Sequence, residues 1–352
     1  MKRELTHNEK LVLYGIIKHP HLVDRELSGL LGLKHSTITS IRRRLRKDSY
    51  FRTLRVPMIQ NIGCKLLVVT YTSFNPVINL DKRVQITGKT IEVFEEIFFS
   101  VGEQEKGFSL SFSKDYSTVG KINDIRTQTF GRRGLLENEY PKEVLFPFDI
   151  SKIYRFFNFS PLLNSFFGFN QKDKDNSGVN VDFYKKTKTS FSNSEKKVYG
   201  TLIEYPEETD SSIAQKINVS RHTVSRIKNM LEQQDCLKKI RMPNLRKLGF
   251  EILAFYHIKF NPQNSSNLEK NDVIPLRNES TIFMASRVFE TVLISVYTNF
   301  EAYKKDKTRI IQFLKKNNWL LDTPGIRTYS LNKLVVIKDF VFAPIVNKLL
   351  EC

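Results

Sequence analysis

The fold is decided by the stretch KHSTITSIRRRLRKD, residues 34–48, and by its counterpart SRHTVSRIKNMLEQQ, residues 220–234. In each stretch the apolar residues recur three and four positions apart, which predicts a helix with one buried face. The apolar positions are Ile38, Ile41 and Leu45 in the first stretch and Val224, Ile227 and Leu231 in the second. The opposite faces carry charged, amide and hydroxyl side chains, so we expect them to meet a polar partner.

These two stretches belong to a longer internal repeat with an offset of 186 residues. Residues 9–76 align with residues 195–262 without a gap, and 16 of these 68 positions are identical. The match returns as FNFSPLLN, residues 157–164, against FVFAPIVN, residues 340–347. A match of this length predicts one complete unit present twice in tandem.

Each copy opens with signals for three helices and a small β wing. Thr6 with Glu9, and Ser192 with Glu195, have the capping-box spacing that starts a helix. The third helix is followed by a short extended stretch that ends in Arg-x-Pro, at residues 55–57 and 241–243. This order of elements predicts a winged helix-turn-helix at the start of each copy.

The remainder of each copy is predicted to be α+β, an antiparallel sheet with helices on one face. In the second copy we expect strands at 250–259, 282–286, 290–298 and 326–331, and a helix at 300–316. The predicted domains run in series along the chain. They are the first winged helix-turn-helix (1–63), the first α+β domain (64–168), a linker (169–190), the second winged helix-turn-helix (191–249) and the second α+β domain (250–352).

The positive charge is concentrated at the start of the chain. The net charge of the whole chain is +19. Residues 1–64 carry 13 Lys and Arg against 5 Asp and Glu, whereas residues 65–170 carry 13 against 12. A local basic patch indicates a polyanionic partner more than a basic background does.

Cysteine usage and hydropathy limit the other possibilities. Cys64, Cys236 and Cys352 lie far apart without metal or redox spacing, so we expect no metal, no cofactor and a reducing compartment. No apolar run approaches the roughly 18 residues of a membrane span. We therefore expect a soluble, cytoplasmic protein that does not interact with a membrane.

The exposed side chains of the third helices and wings are the predicted DNA contacts. Short hydroxyls, amides, His and Arg reach base edges in the major groove, and basic wing residues reach phosphates. In the first copy these residues are Lys34, His35, Ser36, Thr39, Ser40, Arg43, Arg52 and Arg55. In the second copy they are Ser220, Arg221, His222, Ser225, Arg226, Asn229, Lys238, Lys239 and Arg241. Because the two sets differ, we expect two unlike half-sites on double-stranded DNA.

The order of these motifs resembles the Lrp/AsnC family of prokaryotic transcriptional regulators, of the archaeal type. The resemblance rests on TVSRIKNMLEQQ, the Arg-x-Pro, LAFYHIKFNP and VFETVLISVYTNFEAYKKDKTRI. It implies a ferredoxin-like βαββαβ domain after each head, a domain that dimerises in the family. Two units in one chain then imply an asymmetric pseudo-dimer with heads about 34 Å apart. Gly107-Phe108 and Phe289-Glu290 stand where ligand-responsive members have Gly-Asp, so sensing of a small molecule stays open.

Two alternatives to a regulator are open. The first is an adaptor that recruits basal transcription machinery, for which the aromatic run at residues 153–169 is either a partner or homodimer surface or core packing. The second is an enzyme similar to the siroheme decarboxylases, which resemble Lrp/AsnC proteins and occur as fused pairs. Of the six histidines only His257 falls in an α+β domain, so we expect the chain not to be an enzyme.

Overall fold

The computed structural model describes residues 4–137, 139–169, 183, 190–265 and 272–351. The described part of the first copy contains, in chain order, α1 (His7–Lys18), α2 (Asp24–Leu31), α3 (His35–Lys47), β1 (Phe51–Pro57), a 3-10 turn (Ile59–Ile62), β2 (Leu66–Ser73), α4 (Leu80–Glu92), β3 (Ile97–Gly102), β4 (Lys106–Ser113), α5 (Tyr116–Arg132), β5 (Lys142–Pro147), β6 (Lys152–Phe156) and α6 (Ser160–Phe166). Most of the predicted linker 169–190 lies outside the described residues.

The described part of the second copy repeats this order. It contains α7 (Asn193–Glu204), α8 (Asp210–Ile217), α9 (Arg221–Gln233), β7 (Leu237–Pro243), α10 (Leu245–Leu248), β8 (Ile252–Lys259), α11 (Pro262–Ser265), a 3-10 turn (Ile274–Leu276), β9 (Thr281–Arg287), β10 (Glu290–Tyr297), α12 (Phe300–Lys316), β11 (Gly325–Ser330), β12 (Val335–Asp339) and α13 (Ala343–Leu350). The protein therefore has the predicted α+β fold.

The chain divides into two compact units, and each unit takes segments from both copies. Unit 1 comprises Met1–Arg55, Ile153–Val181 and Lys238–Asn332, and unit 2 comprises Val56–Lys152, Asp182–Leu237 and Lys333–Cys352. The head formed by α1–α3 is thus in the same unit as the α+β domain of the second copy. This grouping differs from the serial order of domains expected from the sequence.

Local signals explain the helices of both heads. At the start of α1 the backbone amide of Glu9 donates to Thr6 Oγ1 at 3.4 Å, and the amide of Thr6 donates to Glu9 Oε2 at 2.9 Å. Ser192 and Glu195 form the same capping box at the start of α7. These paired hydrogen bonds satisfy backbone donors that a helix N-terminus otherwise leaves open.

Each sheet combines four strands of one copy with an outer strand of the other copy. In unit 2 the strand order is β12-β3-β4-β2-β5, and in unit 1 it is β11-β8-β10-β9-β6. Within unit 2 the neighbouring strands pair antiparallel throughout. The four strands from one copy have the order of a ferredoxin-like domain, and the exchange of β6 and β12 is not predicted by the sequence.

The predicted wings differ from the structure in their pairing. Each copy supplies one strand after its third helix, and β1 pairs with β7 in a two-stranded sheet. Most of β7, from residue 238 onward, belongs to unit 1 with the first head. The partner of each strand is therefore the strand of the other copy, because neither copy supplies a second strand with which to close a hairpin of its own.

Left-handed residues occur at corresponding places in the two copies. Gly32 (φ 66°) and Asn218 (φ 53°) form the turn before the third helix of each head. Phe157 (φ 48°) and Phe340 (φ 57°) follow β6 and β12. Positive φ is strained for a bulky side chain, and both phenylalanines are buried, so packing holds them in place. The backbone repeats even where it is strained.

Aromatic packing accounts for the run at residues 153–169. Its first part is β6, an outer strand of the sheet in unit 1. Phe166 packs on Phe250 with ring centroids 4.7 Å apart, and Phe169 lies 5.4 Å from Tyr14, all within unit 1. Phe156 and Phe157 are buried and Phe157 packs on Phe283, so core packing describes that part of the run, whereas Phe166 is 38% exposed.

Within the described residues no helix is long and apolar enough to cross a membrane. Cys64 and Cys236 are buried and form no disulfide within the described residues, and Cys352 lies outside those residues. Burial raises the pKa of the Cys64 thiol far above its usual range. The same part of the chain holds no group of three or more His, Cys, Asp or Glu side chains arranged to bind a metal ion.

Candidate nucleic-acid interface

The third helix of the first head, α3, presents a polar outer face. Ile38, Ile41 and Leu45 are buried. The predicted contacts on the opposite face are exposed: Lys34, His35, Ser36, Ser40 and Arg43. Lys34 occupies the N-cap position without a capping side-chain bond. The amides at this helix start are therefore not occupied by the N-cap side chain.

Two basic residues of α3 are held inside the head. Arg42 Nη1 lies 2.7 Å from Asp24 Oδ1, and Arg44 Nη2 lies 2.6 Å from Glu9 Oε1. Glu9 is only 1% exposed, so its carboxylate is balanced by Arg44. Burial lowers the pKa of Arg42, and the charge of Asp24 opposes that shift. These arginines join α3 to α2 and α1.

Thr39 belongs to the same internal network. Its Oγ1 donates to Asp24 Oδ2 at 2.8 Å, and the residue is half-buried. The predicted DNA contact at this position is therefore directed back into the head. The basic side chains exposed on α3 are Arg43, Arg46 and Lys47. Arg46 and Lys47 were not among the predicted contacts, although the basic run itself carried that signal.

The third helix of the second head, α9, repeats the internal pair but has fewer cations on its surface. Lys228 Nζ lies 2.6 Å from Asp210 Oδ2, at the positions equivalent to Arg42 and Asp24. Ser220 caps the helix by accepting from the Thr223 amide at 3.0 Å. The exposed predicted contacts are Ser220, Arg221, His222, Arg226 and Asn229, and Ser225 is half-buried.

Two predicted phosphate contacts on the strands after the heads are corrected by the structure. Arg55 and Arg241 are each only 7% exposed. Arg241 lies in unit 1, where its Nη1 donates to the Ile16 carbonyl of α1 at 3.2 Å. A buried guanidinium bonded to a helix carbonyl stabilises the head instead of contacting a ligand. Arg52, Lys238 and Lys239 are half-buried, and all three lie in unit 1.

A further lysine of unit 1 lies near the end of α3 and was missed. Lys247 on α10 is exposed, its Nζ donates to the Asp48 carbonyl, and it lies 5.7 Å from the centre of the Tyr50 ring. Asp48 immediately follows α3. The charge of Lys247 therefore adds to the basic end of this helix. Nothing near Lys247 in the sequence indicates that neighbour, because 199 residues separate the two.

Unit 1 also contains a cavity of about 800 Å³ beside α12. At its wall Asp306, which is 6% exposed, accepts from Tyr297 OH at 2.6 Å, Arg309 Nε at 2.7 Å and Asn278 Nδ2 at 2.8 Å. His257, the one histidine of this domain, is bound to Glu290 Oε2 at 3.0 Å. The side chains that line the cavity include Glu279, Glu301, Lys304, Lys305 and Gln312.

Comparison with known proteins shows likeness in structure and none in sequence. No protein-family model matches the chain, and no curated protein matches it. The siroheme decarboxylase NirDL is similar over 98% of this chain and 99% of its own, with a TM-score of 0.52 and 9% identity. NirDL in complex with an iron-uroporphyrin III analogue matches equally, at 10% identity. An AsnC-family transcriptional regulatory protein from Pyrococcus furiosus matches 40% of this chain at a TM-score of 0.33 and 16% identity.

The full-length likeness shows that the chain shares the fold of NirDL, and it corrects one expectation. The sequence-based expectation that the chain is not an enzyme is wrong, because the fold it shares over its whole length is that of an enzyme. The expectation rested on the absence of local motifs and on a count of histidines. That argument fails physically, since an active site assembled from distant residues leaves no local motif.

Proposed function

We propose that this chain is a DNA-binding transcriptional regulator, a tandem duplication of one Lrp/AsnC-like unit that acts as an asymmetric pseudo-dimer. The observation that carries the proposal is the outer face of α3, where Arg43, Arg46 and Lys47 are exposed while Arg42 and Arg44 are held by carboxylates. The internal pairs orient the helix, and the exposed Arg43 and Lys47 are placed where they can reach phosphates.

The start of each third helix supplies the groups that read bases. His35 and Ser36 are exposed at the start of α3, and Arg221 and His222 are exposed at the start of α9. In helix-turn-helix proteins the recognition helix, which is the third helix of each head here, contacts base edges in the major groove with its N-terminal residues. Because the side chains of the two heads differ, we propose that the two half-sites differ in sequence.

The proposal predicts a steep salt dependence. If each head neutralises roughly three to five phosphates, affinity for duplex DNA should fall by about 10³- to 10⁵-fold between 50 and 200 mM salt. Fluorescence anisotropy with a labelled random duplex and the full chain measures this. A weak affinity that hardly changes with salt would contradict the proposal, since phosphate contacts release counterions.

The adaptor alternative loses its main support. Much of the aromatic run at residues 153–169 packs within unit 1, as the buried Phe157 on Phe283 shows, so we do not propose recruitment of basal transcription machinery through it. A homodimer formed through the α+β domains stays a prediction.

A second candidate function is decarboxylation of a carboxylated tetrapyrrole. It is favoured by the full-length structural likeness to NirDL. The cavity beside α12, at about 800 Å³, lies in the usual range for small-molecule sites. Lys304 and Lys305 are exposed at this cavity and are suited to carboxylates. Glu279 and Glu301 also line it, so any carboxylate ligand has to face the two lysines.

Titration of the full chain with iron-uroporphyrin III tests this second function. The main absorbance band of the macrocycle should shift and saturate near one equivalent, and Lys304→Ala with Lys305→Ala should weaken binding at least severalfold. Lys315→Ala with Lys316→Ala, which removes the same charge from the exposed end of α12, is the matched control. An unchanged spectrum, or equal loss in both double variants, would count against the enzyme.

A further inference from the structure

One patch of the interior of the α+β domain in unit 2 is polar, beside the apolar clusters that form the rest of its core. Leu66 and Val68 of β2 pack on Val119 of α5, so this face of the sheet meets the helices. Alternation along the strand places Thr70 on the same face. Ser109 of β4 lies directly opposite Thr70, and Ser100 of β3 lies opposite Ser109. All three hydroxyl residues are buried.

Unit 1 shows that this fold does not require polar residues there. Leu293 of β10 lies opposite Tyr256 and Met284, in the same register that places Ser109 opposite Thr70 and Ser100. These side chains join Ile310 of α12 in one buried hydrophobic cluster. The position equivalent to Ile310 in α5 is Arg126. The two units therefore differ at these positions, because unit 1 has Met284, Leu293 and Ile310 where unit 2 has Ser100, Ser109 and Arg126.

Arg83 of α4 is the most unusual residue of the polar interior. It is 1% exposed, and its Nε and Nη2 atoms have no hydrogen-bond partner among the described residues. The guanidinium lies 4.7 Å from the centre of the Phe74 ring, and a Cβ on Gly102 would be 3.3 Å from Nη1. Burial lowers the pKa of Arg83 to about 10, so the side chain stays charged at neutral pH.

Arg126 of α5 brings a second guanidinium to the neighbouring strand, β4. It is 4% exposed, its Nη1 donates to Ser109 Oγ at 3.2 Å, and its Nε has no partner. The charge of Glu143 on β5 acts on Arg126 and opposes the lowering of its pKa by burial. Arg126 thus has a carboxylate whose charge acts on it, whereas the guanidinium of Arg83 lies against the Phe74 ring.

The two arginines approach neighbouring positions of β4. Arg83 lies at Gly102, which is opposite Gly107, and Arg126 is bound to Ser109. Gly107 and Ser109 are on the same face, and two residues along a strand span about 7 Å. Buried nitrogens left without hydrogen bonds are costly in free energy, and a bound anion would supply the acceptors that Nε and Nη2 of Arg83 lack.

We propose that the space between α4, α5 and strands β2–β4 of unit 2 binds a small oxyanion ligand, a carboxylate or a phosphate, with Arg83 as its principal anchor. The guanidinium fork matches the geometry of both groups. Ser109 and Thr70 supply hydroxyls beside it. This ligand site is independent of the DNA interface, because none of its residues belongs to a head.

The test is calorimetric titration of the full chain with citrate and, separately, with inorganic phosphate. We expect saturable binding of at least one probe, and at least a tenfold weaker Kd in Arg83→Met. Arg83→Lys should bind with intermediate affinity, because it keeps the charge and loses the fork. Lys82→Gln removes an exposed charge from the same helix and should leave the Kd unchanged.

A thermal measurement separates a ligand site from a buried charge with no function. Without ligand, Arg83→Met should have a higher Tm than the natural chain, because an unpaired buried charge has been removed. With ligand, the natural chain should gain Tm and the variant should not. Binding of citrate alone assigns carboxylates, and binding of phosphate alone assigns phosphates. The proposal is overturned if neither probe binds, or if Arg83→Met and Lys82→Gln bind as the natural chain does.

Discussion

Arg43→Ala is expected to weaken binding to duplex DNA by roughly 1–3 kcal/mol, about 5- to 150-fold in Kd. Arg43 is exposed on α3 between Arg42 and Arg44, whose guanidinium groups are held by Asp24 and Glu9. No contact within the described residues holds the Arg43 side chain, so the side chain can bind a phosphate without first breaking an internal bond. Anisotropy at fixed salt measures the change in Kd.

The matched control for this variant is Arg132→Ala. Arg132 is an exposed arginine at the end of α5, outside both heads, so the loss of net charge is the same. We expect its Kd to stay within about twofold of the natural chain. If the two variants lose affinity equally, DNA binding depends on total charge and α3 is not the interface.

The equivalent position of α9 gives an internal comparison. Asn229 stands there, and an amide side chain forms weaker contacts with phosphates than a guanidinium does. Asn229→Ala should therefore cost less affinity than Arg43→Ala on a random duplex. A larger loss of affinity from Asn229→Ala than from Arg43→Ala would show that the second head dominates binding.

Asp306→Ala is expected to destabilise unit 1 by about 3–5 kcal/mol. The carboxylate of Asp306 is buried and accepts from Tyr297, Arg309 and Asn278. Burial raises the pKa of Tyr297, so its hydroxyl stays protonated and donates. Alanine removes the acceptor that these three donors share, and the loss of hydrogen bonds to a buried carboxylate is costly. Urea unfolding followed by far-UV circular dichroism measures the loss.

Two further variants identify the cause of that loss. Asp306→Asn keeps the shape and one acceptor, so it should lose less stability than the alanine variant. Lys305→Ala changes the exposed neighbour and should stay within about 0.5 kcal/mol of the natural chain. A loss below about 1 kcal/mol in Asp306→Ala would mean that water replaces the carboxylate and that the network is not structural.

Helices and strands followed from the sequence where the signals were local. The helix Phe300–Lys316 and the strand Glu290–Tyr297 were predicted almost to the residue, because hydrophobic spacing and the Asn299 cap act within a few positions. The exchange of β6 and β12 between sheets was not predictable in this way. Residues 152–156 have a pattern that fits the edge of either sheet, and only the tertiary packing selects one.

The candidate interface was predictable as a region and not residue by residue. The basic run of α3 identified the helix, but Arg42, Arg43 and Arg44 are alike in sequence and differ only in what faces them. Arg241 was predicted as a phosphate contact and instead bonds to Ile16, 225 residues away in the chain. Side chains of one type acquire different roles through partners that no local pattern reveals.

The duplicated pattern, the helix-turn-helix heads, the α+β class and the basic face of α3 are all visible in the order of the amino acids. Those features depend on spacing, capping and turn residues, which act over a few positions. The pairing of the strands, the neutralisation of particular arginines and the polar surroundings of Arg83 are visible only in the folded chain. These features depend on contacts between residues far apart in the chain, because the residues packed against a side chain set its burial and its electrostatic surroundings.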